Sequence, residues 1–345
     1  NRDYKKLQIP FSPDVVHILD WVNMCPSIFT LLKKINVPII KHVYNFEDFC
    51  YFISPIYRKE DNRYCDAPLT SKECCECIND NNFSKLKLLK KIKYLLFTNK
   101  KKLKREINAK LKNRNHVIQD QAQNYYDHLI FPSDSFAKYY FSHLGINKKH
   151  SIIPNGINII SEKIDKKKSS SLNFIYTGGV SLRKGWKIIE SVFYQICSEN
   201  KYKIKLRIYG DKNKTKKSKN NKFSNIEFFD SFHPKEIDDI MKWADVGIAP
   251  SFFETYSRIV REYINYNIVP ISTNAFGVPD IIKNNKNGII IEKPYTKNLF
   301  NTLENILRDP DMIDNLRKNM NRSEIISKSE EFKKILNIYK KSVSN

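Results

Sequence analysis

The sequence predicts an α/β protein built as two doubly wound parallel-sheet domains, and three observations carry that. Between residues 172 and 291, strand-like runs rich in Ile, Val and Phe alternate with amphipathic helical patterns, the order that a parallel sheet covered by helices requires. The 345 residues are about twice the usual domain length, so two separate cores are the natural division. Residues 14–19 and 37–43 are short β-branched runs bounded by Pro and Asn, with a helical pattern at 26–35 between them, which reads as a further α/β unit.

The chain opens on Asn1 without a signal-like apolar segment, so it reads as part of something longer or as a mature form. His17 and His42 stand on the two early runs; in an extended strand His42 and Tyr44 point to the same side. Each His is a candidate to face a ligand or an ordinary core or solvated residue. Five of the seven cysteines then fall between Cys50 and Cys77. Cys74-x-x-Cys77 has metal-ligand spacing, and Cys50 and Cys65 complete a candidate structural zinc set with Cys75 as a bystander. Reduced thiols, or disulfides in an oxidising setting, are the alternative.

Residues 85–114 carry thirteen Lys or Arg against one acid, Glu106, with Leu86, Leu89 and Leu96 at helical spacing. A basic amphipathic helix suits an anionic membrane surface; a solvated outer helix is the alternative. A strand at 129–131, a helix to about 144 and a strand at 150–153 follow, and the polar run 161–171 leads to the next domain. The boundaries are accordingly 1–165 and 166–327, with a last helix in 328–345. In the second domain, strands are expected at 172–177, 203–209, 226–229, 245–249, 268–272 and 288–291. Helices are expected at 184–198, 234–243, 255–266, 278–284, 295–308, 310–326 and 329–341.

The net charge of +23 implies attraction to polyanions: nucleic acid, anionic lipid or phosphate-bearing substrates. No RNA-recognition, homeodomain or zinc-finger pattern is present, so nucleic acid is not an expected partner. No apolar run approaches the ~20 residues that span a bilayer.

Residues 250–262 organise the rest. They set Glu254 and Glu262 eight residues apart, directly after the strand-like run 245–249. A strand, a short turn and a helix leave free backbone N–H groups and the positive end of the helix dipole at the strand's carboxyl edge, where a phosphate can sit. Gly178-Gly179 allows close backbone approach at a second such edge, and Arg183 and Lys184 supply cations beside a helix start, a set that suits a diphosphate. The Tyr209-Gly210 turn is expected near the same nucleotide.

Pro250-Ser251-x-x-Glu254-x7-Glu262, followed by residues 268–272, resembles the donor-site signature of family 4 glycosyltransferases, retaining enzymes of the GT-B fold. Residues 153–157, 177–185, 274–280 and the pair Asn287-Gly288 resemble further segments of that family in the same order. The resemblance implies two Rossmann-like domains facing across a cleft. It implies transfer of a sugar from a UDP- or GDP-sugar to a saccharide or lipid-linked acceptor, with no metal required, in polysaccharide or glycoconjugate synthesis. Glu254, Lys184 and Arg183 would serve the reaction, Glu254 at the sugar hydroxyls and the cations at the leaving phosphate. Gly178, Gly179, Glu262, Thr255, Tyr256, Ser257, Tyr209 and Gly210 would bind the donor, with Glu262 on the ribose. His17, His42 and Tyr44 would lie on the acceptor side. The family's early Gly-rich loop is missing and its His-acid pair is replaced by Tyr44-Asn45, so the N-terminal domain reads as truncated. A cytoplasmic enzyme peripheral to a membrane is the resulting expectation. The alternative is a non-catalytic GT-B-like module that binds glycans or polyanions.

Overall fold

The computed structural model describes residues 11–20, 32, 34, 36–50, 57–58, 63–64, 74–78, 99–162, 164–166, 171–210 and 223–344. Its chain contacts form two units. One takes in Asn1–Phe131, Lys138–Ile152 and Leu336–Asn345, the other Pro132–Ala137 and Ile153–Ile335.

The first unit is a four-stranded parallel sheet in the order β1 (Val16–Ile18), β2 (Ile39–His42), β5 (His128–Phe131), β6 (His150–Ile152). A small antiparallel pair, β3 (Tyr57–Arg58) and β4 (Arg63–Tyr64), stands apart from it. β2 and β5 are buried along their whole length, as central parallel strands are. Lys41 breaks the apolar run of β2, and its ammonium is buried against the Glu47 carboxylate. Burial pushes the Glu47 carboxyl up from its ordinary range, Lys41 opposing. The Tyr140 hydroxyl donates to Asp48 beside this pair at 2.9 Å.

Helix α1 (Lys100–Asn124) starts at Asn99, whose side chain accepts from the Lys102 N–H at 3.1 Å. It buries Ile107, Leu111, Ile118 and Ala122 on one stripe and turns Lys101, Lys102, Lys104, Arg105, Lys110 and Lys112 to solvent. The basic run thus lies on the outer face of a helix that continues ten residues past residue 114, because the apolar stripe does. Residues 85–98 lie outside the described residues. The Arg114 guanidinium ties α1 to the loop after β2 by donating to the carbonyls of Glu47 and Cys50. Helix α2 (Asp134–Leu144) follows β5. Among the described residues, no helix is long and apolar enough to cross a membrane.

The second unit is a six-stranded parallel sheet in the order β12-β11-β10-β7-β8-β9. Its strands are β7 (Leu172–Tyr176), β8 (Ile204–Tyr209), β9 (Ile226–Phe229), β10 (Val246–Ala249), β11 (Val269–Thr273) and β12 (Ile289–Ile291). Helices α3 (Trp186–Glu199), α4 (Ile237–Trp243, entered through a 3-10 turn at Pro234–Glu236), α5 (Arg258–Asn265), α6 (Thr296–Arg308) and α7 (Asp311–Lys318) complete it, with α8 (Lys328–Val343) up to Ile335, its residues from Leu336 on belonging to the first unit. Trp186, Ile189, Val192, Phe193 and Ile196 pack α3 onto the sheet, and Leu299, Leu303 and Ile306 do the same for α6. The strand order reverses between β7 and β10. That is the place where an open α/β sheet leaves a crevice at its carboxyl edge.

Two expected helices differ. Residues 278–284 form successive turns: Ile281 and Ile282 donate to the Val278 carbonyl, then the Asn287 side chain accepts from Lys283 N at 2.7 Å and Asn285 takes a positive φ of 59°. The apolar spacing of Val278, Ile281 and Ile282 is met by a single turn. The helix expected at 310–326 stops at Lys318, where Met320 N bonds the Arg317 carbonyl and the Asn321 side chain accepts from Ser323 N at 2.9 Å.

Candidate active site

Three loops meet at the carboxyl edge of the second sheet, where β7 and β10 adjoin. The loop after β7 folds tightly: the Tyr176 hydroxyl donates to the carbonyls of Gly179 (3.0 Å) and Lys184 (3.2 Å). Gly179 N bonds the Tyr209 carbonyl at 3.1 Å, so the turn at Tyr209-Gly210 braces the glycine pair. A Cβ on Gly210 would stand 2.3 Å from the Gly179 Cα, so this approach needs a glycine at 210, while Gly179 is needed for its φ of 62°. Gly185, at φ 79°, ends the loop against Pro250; a Cβ there would meet the Pro250 carbonyl at 2.2 Å. The loop after β10 is joined to this one by Phe252 N, which bonds the Arg183 carbonyl at 2.9 Å, and by Arg183 Nη1, which donates to Phe253 O at 3.3 Å.

Lys184 Nζ meets Glu254 Oε1 at 2.5 Å, a contact between residues 70 positions apart. The structure therefore brings Gly178, Gly179, Arg183, Lys184, Tyr209, Gly210 and Glu254 together. Glu262, one turn into α5, is engaged by Arg258 Nε at 2.9 Å, and burial raises its carboxyl above the usual range. Helix α5 starts at Arg258 rather than at residue 255 because Ser257 sits in the left-handed region at φ 57°. For a residue other than glycine this costs about 1–2 kcal/mol.

Several contributors gave no sequence signal. Ser133 Oγ donates to the Thr255 carbonyl at 2.6 Å and Ser135 Oγ accepts from Gly277 N at 2.9 Å, anchoring two site loops to the start of α2. Arg261, which reads as one more surface cation of an amphipathic helix, is buried and donates to the carbonyls of Tyr256, Ser257 and Gly277. Its burial beside Val260 shows only in the folded helix.

In the first unit His17, His42 and Tyr44 form one stack, with ring centroids 5.6 Å apart for the histidines and 3.6 Å for His42 and Tyr44. His17 Nδ1 and the Tyr339 hydroxyl of α8 are 2.5 Å apart. His42 is wholly buried with neither ring nitrogen bonded, and burial with the neighbouring positive groups lowers it to about 3, so it is neutral. Cys74, Cys75 and Cys77 share a helical turn at 74–78, where Cys75 is buried and its thiol donates to Asn108 Oδ1 at 2.8 Å. Cys65, the fourth member of the expected zinc set, lies outside the described residues. Among the described residues no group of three or more His, Cys, Asp or Glu is gathered as metal ligands.

No curated relative matches the chain by sequence. Residues 159–323 match the family model described as glycosyl transferases group 1. That match corrects the assignment to family 4. The glutamate pair and glycine loop describe a donor-site geometry, which relatives on one fold share, and they do not select that family. Among solved structures, sucrose-phosphate synthase from Thermosynechococcus elongatus superposes with a TM-score of 0.66 at 13% identity, over 96% of this chain and 74% of that one. Anabaena HepE in complex with UDP-glucose gives 0.59 at 12% identity, over 95% and 79%. The lipopolysaccharide outer core galactosyltransferase WaaB gives 0.59 at 15% identity, over 96% and 76%. The chain thus has the GT-B-like fold of two parallel-sheet domains, and its second unit is similar in sequence to the group 1 glycosyl transferases.

Proposed function

We propose that the protein is a glycosyltransferase that takes a sugar from a nucleoside-diphosphate donor at the carboxyl edge of β7 and β10. The observation that carries this is the convergence of Lys184, Glu254 and the Gly178-Gly179 loop at the point where the strand order reverses. An ammonium and a turn of backbone N–H groups suit the charge that develops on a leaving diphosphate, and a carboxylate suits sugar hydroxyls. UDP is the nucleotide we favour, since a similarly folded protein, HepE, holds UDP-glucose. Glu254 is engaged by Lys184 rather than free to abstract a proton, which supports transfer with retention, the leaving phosphate helping to deprotonate the acceptor. The acceptor would be a saccharide or lipid-linked saccharide, with the His17, His42 and Tyr44 stack on its side. The exposed cations of α1 support an anionic membrane surface as a further partner and a cytoplasmic, peripheral setting.

The test is titration with nucleoside diphosphates, then transfer from the matching nucleotide-sugar with the product anomer read by NMR. Glu254→Gln should remove most transfer with the melting temperature kept. Lys184→Ala should weaken UDP binding by ~1–3 kcal/mol, the range for a charge-assisted contact. Full transfer by Glu254→Gln sinks the reading, and binding without any transfer would favour the non-catalytic module.

A further inference from the structure

The geometry points to Arg261 as a positioning residue that turns the amide N–H groups at the start of α5 toward a bound nucleoside diphosphate, an inference that rests on the donor site proposed above. Arg261 is 4% exposed. Its Nη1 donates to the carbonyls of Tyr256 and Ser257, the latter at 3.4 Å, and its Nη2 to the Gly277 carbonyl at 2.8 Å. The guanidinium carbon also lies 3.6 Å from the centroid of the Tyr256 ring, so the plane of the fork is fixed by stacking as well as by hydrogen bonds. One side chain therefore fastens two consecutive peptide groups of the loop carrying Glu254 and a third from the loop after β11.

In a planar trans peptide the carbonyl of one residue and the N–H of the next point in opposite directions. With the carbonyls of Tyr256 and Ser257 drawn to the guanidinium, the N–H groups of Ser257 and Arg258 face away from it. Neither finds a backbone hydrogen-bond partner among the described residues. The loop does not hold this shape by local preference, because Ser257 is at φ 57° and its hydroxyl is buried without a partner. A strained residue persists where its surroundings over-determine it. Arg261 supplies that constraint from behind, with Ser133 on the Thr255 carbonyl adding to it. A lysine could keep the charge but could not span the three carbonyls as a planar fork does.

The test compares wild type with Arg261→Lys and Arg261→Met by calorimetric titration of UDP and of GDP, together with far-UV circular dichroism and ligand-free melting. Wild type should bind at least one of the two. Arg261→Met should bind it about ten- to a hundredfold more weakly, the loss that hydrogen bonds to a charged ligand bring when they are misaligned, with Arg261→Lys in between. A purely structural role would lower the melting temperature of Arg261→Lys without touching the affinity of the folded fraction, so an affinity loss at an unchanged melting temperature is the signature. If Arg261→Met does not fold, Arg261→Lys decides alone. Wild-type affinity in the folded variants overturns the positioning role and leaves the donor site standing. No binding of either nucleotide by wild type overturns the donor site, and the positioning role with it.

Discussion

Lys41 and Glu47 show what a single buried contact costs and supports in the first unit. Both side chains are almost fully removed from solvent, and the pair is flanked by Asp48, Tyr140 and the Arg114 guanidinium. Taking two charges out of water is expensive, and an ion pair repays it only while both partners are present. Lys41→Met should leave the Glu47 carboxyl buried without its cation and destabilise the protein by about 3–5 kcal/mol. Urea unfolding would measure this, and adding Glu47→Leu should restore most of the loss. A double variant as unstable as the single one would mean that the pair is held for packing rather than for charge. Burial is also why this pair escapes a reading of sequence. In the run 37–43, Lys41 looks like the polar interruption of a strand, and nothing nearby in sequence says that Glu47 will fold back onto it.

At the scale of elements, α1 divides its work between two faces. Ile107, Leu111 and Ile118 hold it to the unit, while its outer face carries Lys101, Lys102, Lys104, Arg105, Lys110 and Lys112 with Glu106 as the acid among them. That face offers charge without exposed large apolar side chains, so attachment to an anionic bilayer would be electrostatic. Substituting Lys101, Lys102, Lys110 and Lys112 with Gln should remove most sedimentation with anionic vesicles at low salt, each lysine contributing ~1 kcal/mol, and leave the melting temperature unchanged. Equal sedimentation with neutral vesicles would count against it. The strands of the second unit were legible because fully buried parallel strands read as unbroken Ile and Val runs; β8, β9 and β12 each begin within a residue of where those runs do. The site motifs were legible because they sit at the ends of those runs. Turns closed by side chains were not. The Asn287 side chain replaces a helix after residue 282, and Ser133 and Ser135 reach loops more than 100 residues away, contacts that no local pattern encodes.

The molecule as a whole carries +23 and holds two histidines neutral in its interior. Burial and neighbouring positive groups lower His42 to about 3 and His128 to about 4, against an ordinary 6.5. Between those values the unfolded chain binds protons that the folded chain refuses, so stability present above 6.5 is lost as pH falls through 4 toward 3. Glu47, raised to about 7, and Asp245 and Glu262, also raised by burial, work the other way down to the ordinary carboxyl range near 4.5, so the histidine loss is uncompensated only below it, where acidification also adds to the self-repulsion of a cationic chain. The melting temperature should therefore change little from pH 7 to about 4.5 and fall below it, and His42→Phe should flatten that fall; an identical slope in that variant would remove His42 from the account. The bond between His17 and Tyr339 joins residues 322 positions apart. On the ribosome, at ~5–20 residues per second, the strand that carries His17 waits for tens of seconds before its partner helix emerges. Through most of that synthesis the nascent chain would leave the strand's partner surface uncovered, until the helix carrying Tyr339 is made.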